Sequence, residues 1–320
     1  MNRKEFVSIL IILIFITLLF SGCIRRMPDD PNTTVKSIEY DGLNRSYRIH
    51  VPPNLNNSTL VPLLFVLHGG GGTGEGMEEQ LTEFGFNELS DNYGFIVVYP
   101  DGIERHWNDG RKNTTYRAHQ QNIDDVGFIS TLIDIISDDY SIDPNRIYST
   151  GISNGAMMSF RLACELSEKI AAIAPVAGAM PLDLQNTCQP SKPVSALIIS
   201  GTDDPLVPWE GGYITYNNRK LGKVLSVPET VSYWVGMTNC TATPDISWLP
   251  DFDPSDGTTV KVEIYNHSTK NVSITLYQIE GGGHTWPGGC QYYSVTRIGK
   301  TCRDFDANEA IWQFFSNHPK

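Results

Sequence analysis

The apolar run Leu60-Val61-Pro62-Leu63-Leu64-Phe65-Val66-Leu67 passes directly into His68 and four glycines. A strand made of such residues has no face suited to water, so both of its faces must be covered. Similar apolar runs recur at Gly94 to Tyr99, Ile170 to Val176 and Val194 to Ser200, and Arg146 to Thr150 reads as a further strand. Helical segments fit between them, near 80–92, over 124–139 and from Gly155 to about Leu166. In the second of these, Val126, Ile129, Ile133 and Ile136 share one face. A helix over 227–237, strands at 260–266 and 273–280 and a final helix over 306–317 follow, and a strand over 36–51 comes first. Apolar strands alternating with helices predict an α/β fold, with a mostly parallel central sheet and helices on both faces.

The chain has 320 residues, 40% of them hydrophobic and 19% charged, and a formal charge of −12. That acidity fits a solvated surface and excludes nucleic acid as a partner. At the N-terminus, Arg3 and Lys4 precede an uncharged run from Phe6 to Phe20, which ends in Ser21-Gly22-Cys23. This reads as an export signal over 1–23, with Cys23 as a candidate for lipidation. An uncleaved anchor and a plain cleaved signal are the alternatives. All three place the protein outside the cytoplasm, at the cell surface or beyond, with membrane contact only through an N-terminal lipid or anchor. Residues 24–35 read as a polar tether, and 36–320 as one folded domain. Cysteines Cys164, Cys188, Cys240, Cys290 and Cys302 remain, in a compartment that permits disulfides. Their number is odd, so at least one is a thiol or pairs outside the chain. No spacing among them suits zinc, and no metal or cofactor is expected.

Chemistry is concentrated in four loops. Gly151-Ile152-Ser153-Asn154-Gly155 lies where a strand turns into a helix, a turn that lifts a serine hydroxyl to a helix N-terminus. His68-Gly69-Gly70-Gly71-Gly72 also follows a strand. Such a loop supplies one amide of an oxyanion hole, here Gly70 with Gly69 and Gly71 as neighbours, and Asn154 supplies the other. No Gly-Lys-Ser/Thr follows, so the loop is not a nucleotide-phosphate loop. Ser200-Gly201-Thr202-Asp203-Asp204-Pro205 offers two adjacent carboxylates at a strand end. Gly281-Gly282-Gly283-His284-Thr285-Trp286-Pro287 offers a histidine on a glycine-rich loop. Serine, then acid, then histidine is the chain order of α/β-hydrolases.

The segments Leu67-His68-Gly69-Gly70, Asp124-Asp125-Val126-Gly127-Phe128-Ile129, Gly151 to Met157, Ala171 to Gly178, Gly201 to Pro208 and Gly282 to Gly288 resemble the polyhydroxybutyrate depolymerase and feruloyl esterase family, which overlaps carbohydrate esterase family one. The resemblance spans about residues 36–316 and implies an α/β-hydrolase fold and a serine carboxylic-ester hydrolase. It selects Asp204, just before Pro205, as the acid beside Ser153 and His284. It also implies a bridge between Cys164 and Cys188. His267 stands where Cys240 would find its usual partner. That leaves Cys240 to pair with Cys290 or Cys302, or to stay a thiol while those two bridge.

The expected substrate is an ester, either a feruloyl or acetyl group on plant polysaccharide or a hydroxyalkanoate polyester or oligomer. From a different class, a non-catalytic surface binder on a hydrolase fold would lack part of the triad, and here every triad position is filled. Trp107, Trp209 and Trp286 are either an aromatic wall for a phenolic acyl group or core residues. Asp125 reads as the cap of the helix it begins.

Overall fold

The computed structural model describes residues 30–56 and 58–320. The signal segment with Cys23 and residues 24–29 of the tether lie outside the described residues. The first strands, β1 (Thr33–Tyr40) and β2 (Leu43–His50), form a hairpin where one strand over 36–51 is expected. Asp41 and Gly42 at its tip have φ of 52° and 70°, the left-handed pair that a two-residue hairpin turn requires. β1 begins within the segment expected as tether. Asp30, just ahead of it, accepts a hydrogen bond from Asn87 Nδ2 at 2.9 Å.

Next come β3 (Val61–Leu67), β4 (Ile96–Pro100), β5 (Ile142–Ile152), β6 (Ala172–Val176) and β7 (Ser195–Gly201). A small separate hairpin pairs β8 (Gly212–Tyr216) with β9 (Arg219–Val224). The chain continues with β10 (Asp245–Trp248), β11 (Thr259–Asn266) and β12 (Ser273–Glu280). The large sheet runs β1-β2-β4-β3-β5-β6-β7-β12-β11-β10. Its six central strands, β4 to β12 in that order, are mutually parallel. The flanking strands at both edges are antiparallel.

Among the described residues, five longer helices cover the sheet: α1 (Gly85–Tyr93), α2 (Asp125–Asp139), α3 (Asn154–Glu165), α4 (Val227–Thr238) and α5 (Ala307–Ser316). The all-apolar β3 shows why both faces need cover. Leu63, Phe65 and Leu67 join one core with residues of α2, α3 and α4, and Leu64 and Val66 join the other with residues of α1 and α5. Each such buried side chain contributes about 1.5–3 kcal/mol. The helix expected near 80–92 is two pieces, a wide turn over Gly76–Leu81 and then α1. They are separated by Glu83 and Phe84, both with positive φ.

Asp125 does not cap α2. Asp124 does, accepting from the Gly127 amide at 2.8 Å. Asp125 is instead buried and pairs with Arg45 at 2.6 Å, while also accepting from the Asn108 amide. Cys164 and Cys188 are bridged, tying the end of α3 to the segment before β7. Cys290 and Cys302 do not bridge each other or Cys240, because each is packed on other neighbours. Cys290 Sγ lies 3.5 Å from Gln80 O, Cys302 Sγ lies 3.8 Å from Asp304 Oδ2, and Cys240 Sγ lies 3.2 Å from Thr238 Oγ1.

Candidate active site

Three parallel strands deliver the site. β5 ends at Ile152, and Ser153 stands alone between it and α3, with φ 57° and ψ −116°. A non-glycine residue in that region is strained by about 1–3 kcal/mol and needs its surroundings to hold it. The Ser153 amide donates to Val176 O, and its carbonyl accepts from the Met157 amide. The glycines on either side are dictated by close approach. A Cβ on Gly151 or Gly155 would collide with the Leu67 carbonyl at the end of β3.

The loop after β7 carries Asp204, and the loop after β12 carries His284. Both side chains are buried, and His284 Nδ1 lies 2.7 Å from Asp204 Oδ2. The other Asp204 oxygen accepts from the amides of Leu206 and Val207, at 2.7 and 2.9 Å. Asp203 faces solvent instead. With a carboxylate at Nδ1, that nitrogen carries the proton and Nε2 is left as a base. The His284 carbonyl accepts from the Tyr292 hydroxyl at 2.6 Å, and its amide donates to Ile298 O. The histidine is therefore fixed by backbone as well as by its acid.

On the glycine loop, the amide of Gly71 donates to Arg105 O and that of Gly72 to Gly69 O. The amides of Gly70 and Asn154 have no such partner among the described residues. The Asn154 side chain is clamped: its Oδ1 accepts from the Trp107 amide, and its Nδ2 donates to Trp107 O and to Asp109 Oδ2. Asp109 is fully buried. Burial alone would raise its pKa, but the Arg111 guanidinium and the His119 ring hold it well below the ordinary carboxylate range. Beneath the loop, His68 is buried, accepts from the Gly102 amide at 2.9 Å and is held by burial at a pKa of about 4. It is a neutral strut. Trp107 supports the same loop by donating from its indole to His68 O.

Ser153, His284, Gly70 and Asn154 line one cleft of about 620 Å³. Trp107 and Trp286 are wholly buried, and Trp209 is partly buried against the core, so no tryptophan forms the cleft's aromatic wall. Tyrosines do: Tyr116, Tyr216, Tyr292 and Tyr293 line it, with Tyr116 stacked on His106 at 3.6 Å. Asp109 and these tyrosines escape sequence reading: Asp109, Tyr116, Tyr292 and Tyr293 sit in irregular segments, and Tyr216 ends the short, mostly exposed β8.

A cluster of Asp256, Cys302 and Asp304 lies elsewhere. Its carboxylates accept backbone amides of Thr258, Arg303, Phe252 and Asp253, and burial pushes the Cys302 thiol up to about 11.

Residues 45–184 match the family described as Esterase PHB depolymerase. A putative esterase, NocK, from Nocardia uniformis subsp. tsuyamanensis is 30% identical over 304 residues, covering 92% of this chain and 86% of that protein. The chain belongs to this esterase family. As such it is a carboxylic-ester hydrolase. The esterase is also 30% identical over 199 residues to feruloyl esterase B of Piromyces equi, a match covering 60% of the chain and 34% of that relative. Among solved structures, the acetyl xylan esterase from Aspergillus awamori shares its α/β-hydrolase fold, with a TM-score of 0.58 at 17% identity over 89% of this chain and 99% of that one. The family match includes Gly70, Ser153 and Asn154 but ends before Asp204 and His284, which rest on geometry.

Proposed function

We propose that the esterase works through an acyl-enzyme on Ser153, with His284 as base, Asp204 as its orienting acid, and the amides of Gly70 and Asn154 as the oxyanion hole. The observation that carries this reading is the buried 2.7 Å contact between Asp204 and His284, beside the cleft that also holds the strained Ser153. His284 Nε2 takes the Ser153 proton as Oγ attacks the ester carbonyl, and the two amides receive the developing negative charge. His284 then protonates the leaving alcohol. Water, deprotonated by the same ring, releases the acid.

The substrate we propose is a feruloyl- or acetyl-type ester of plant polysaccharide. The tyrosine-lined wall supports a flat acyl group. Methyl ferulate, acetylated xylan and soluble hydroxybutyrate oligomers, each tested with wild type and Ser153→Ala, decide between this and a hydroxyalkanoate substrate. The variant keeps the fold and loses about 10³-fold or more in kcat on the preferred ester. Comparable turnover by the variant removes Ser153 from its role.

We further propose that residues 1–23 direct export and that Cys23 is lipidated, leaving 24–29 to lead into the domain. The Cys164–Cys188 bridge supports an oxidising compartment. Fractionation of the native host tests this: the esterase is expected with membranes and accessible from outside, and recovery in the cytosol contradicts it.

A further inference from the structure

The chain carries 36 acidic against 24 basic side chains, yet among the described residues no aspartate or glutamate lines the catalytic cleft. Two arginines do, and they differ. Arg111 is buried and already neutralised by Asp109 at 2.7 Å, with a further bond to Leu221 O. Arg297 is exposed and has no carboxylate partner among the described residues. Its guanidinium stacks over the Tyr293 ring at 4.5 Å, lies 5.5 Å from the Tyr216 ring and donates through Nη2 to the Tyr216 hydroxyl. These contacts hold the planar group in place while its remaining N–H donors have no partner among the described residues.

Its position relative to the chemistry is fixed by backbone. The next residue, Ile298, accepts the His284 amide through its carbonyl, and Tyr292 donates to the His284 carbonyl. The segment bearing Arg297 is thus bonded twice to the proposed base. An oriented, unneutralised guanidinium in a cleft without carboxylates is built to receive an anion, and its flat fork matches a carboxylate best.

From this we propose that Arg297 is a specificity residue, which selects esters whose acyl or alcohol part carries a free carboxylate. The inference rests on the serine-esterase reading above and narrows its substrate class. Two sources share this chemistry: a uronic acid on a polysaccharide, and the free acid end of a hydroxyalkanoate oligomer.

The test uses matched pairs. One is acetylated xylo-oligosaccharide with and without a uronic acid side group. The other is a hydroxybutyrate trimer as free acid and as methyl ester. Wild type favours the charged member of at least one pair, and which pair responds identifies the source. Arg297→Gln lowers the charged-to-neutral ratio of kcat/KM about tenfold, chiefly through KM, as expected for loss of a charge-assisted hydrogen bond. Arg297→Lys restores part of it. Added salt erodes the preference in wild type but not in Arg297→Gln. An equal ratio in wild type and Arg297→Gln, with both esters hydrolysed, overturns the inference and leaves the esterase reading intact. Failure of wild type on every ester overturns that reading instead. Binding of the trimer acid to Ser153→Ala protein, with and without Arg297→Gln, then decides the inference alone: tighter binding with arginine supports it, and equal binding overturns it.

Discussion

Ser153 keeps a backbone conformation that a side chain normally avoids, and the reason lies in its neighbours. Gly151 and Gly155 let the turn press against the Leu67 carbonyl, and the Ser153 amide is bonded to Val176 O. Neighbouring strands therefore stabilise the strain that presents the hydroxyl. His68 is a second residue whose environment fixes its state. Burial holds its pKa at about 4, below the ordinary 6.5. Below pH 6.5 the unfolded chain takes up a proton that the folded chain refuses, so this contribution to stability is whole above 6.5 and is lost as pH falls toward 4. The full loss is about 3 kcal/mol. Urea unfolding at pH 7 and pH 4.5 measures it. In His68→Asn the stability difference between the two pH values is expected to shrink by about 2 kcal/mol, and an unchanged difference contradicts the buried neutral state.

At the scale of elements, α2 is joined to the sheet by a buried ion pair, Arg45 of β2 with Asp125, and Arg45 also stacks on Phe128 at 3.8 Å. Removing one partner of such a pair leaves the other charged and unsolvated. Asp125→Asn is therefore expected to lower unfolding stability by about 3–5 kcal/mol, while a loss below about 1 kcal/mol contradicts the pairing. Neither this pair nor the cap at Asp124 was legible from Asp125 alone, because two adjacent aspartates at a helix start look alike until β2 is placed beside them. The strongly patterned elements were legible: the all-apolar β3, the one-faced α2, and strands β6, β7 and β12. What escaped was set by tertiary contact. Gly85 has Asn308 where a Cβ would sit, at the break before α1, and the β8–β9 hairpin turns at Asn217 and Asn218 with mostly exposed strands that show no clear alternation. The Asp41-Gly42 turn, by contrast, is a local signal that the single strand expected over 36–51 passed over.

At the scale of the molecule, the parallel order β3-β5-β6-β7-β12 brings the ends of β3, β5, β7 and β12 to one side, and four glycine-bearing loops meet there. Each residue of the proposed triad and oxyanion hole was readable in its own loop. Their convergence was not, nor was the choice between Asp203 and Asp204 from residues alone; the Asp204–His284 contact supplies it. The cleft's tyrosines and its lack of carboxylates also appear only once distant loops are assembled. If this convergence activates one serine, a fluorophosphonate finds it, and mass spectrometry of the digested protein shows where the label sits. A single phosphonylated residue, Ser153, is expected, with labelling abolished in Ser153→Ala and strongly slowed in His284→Ala. An unlabelled wild type, or an adduct on another residue, would contradict it.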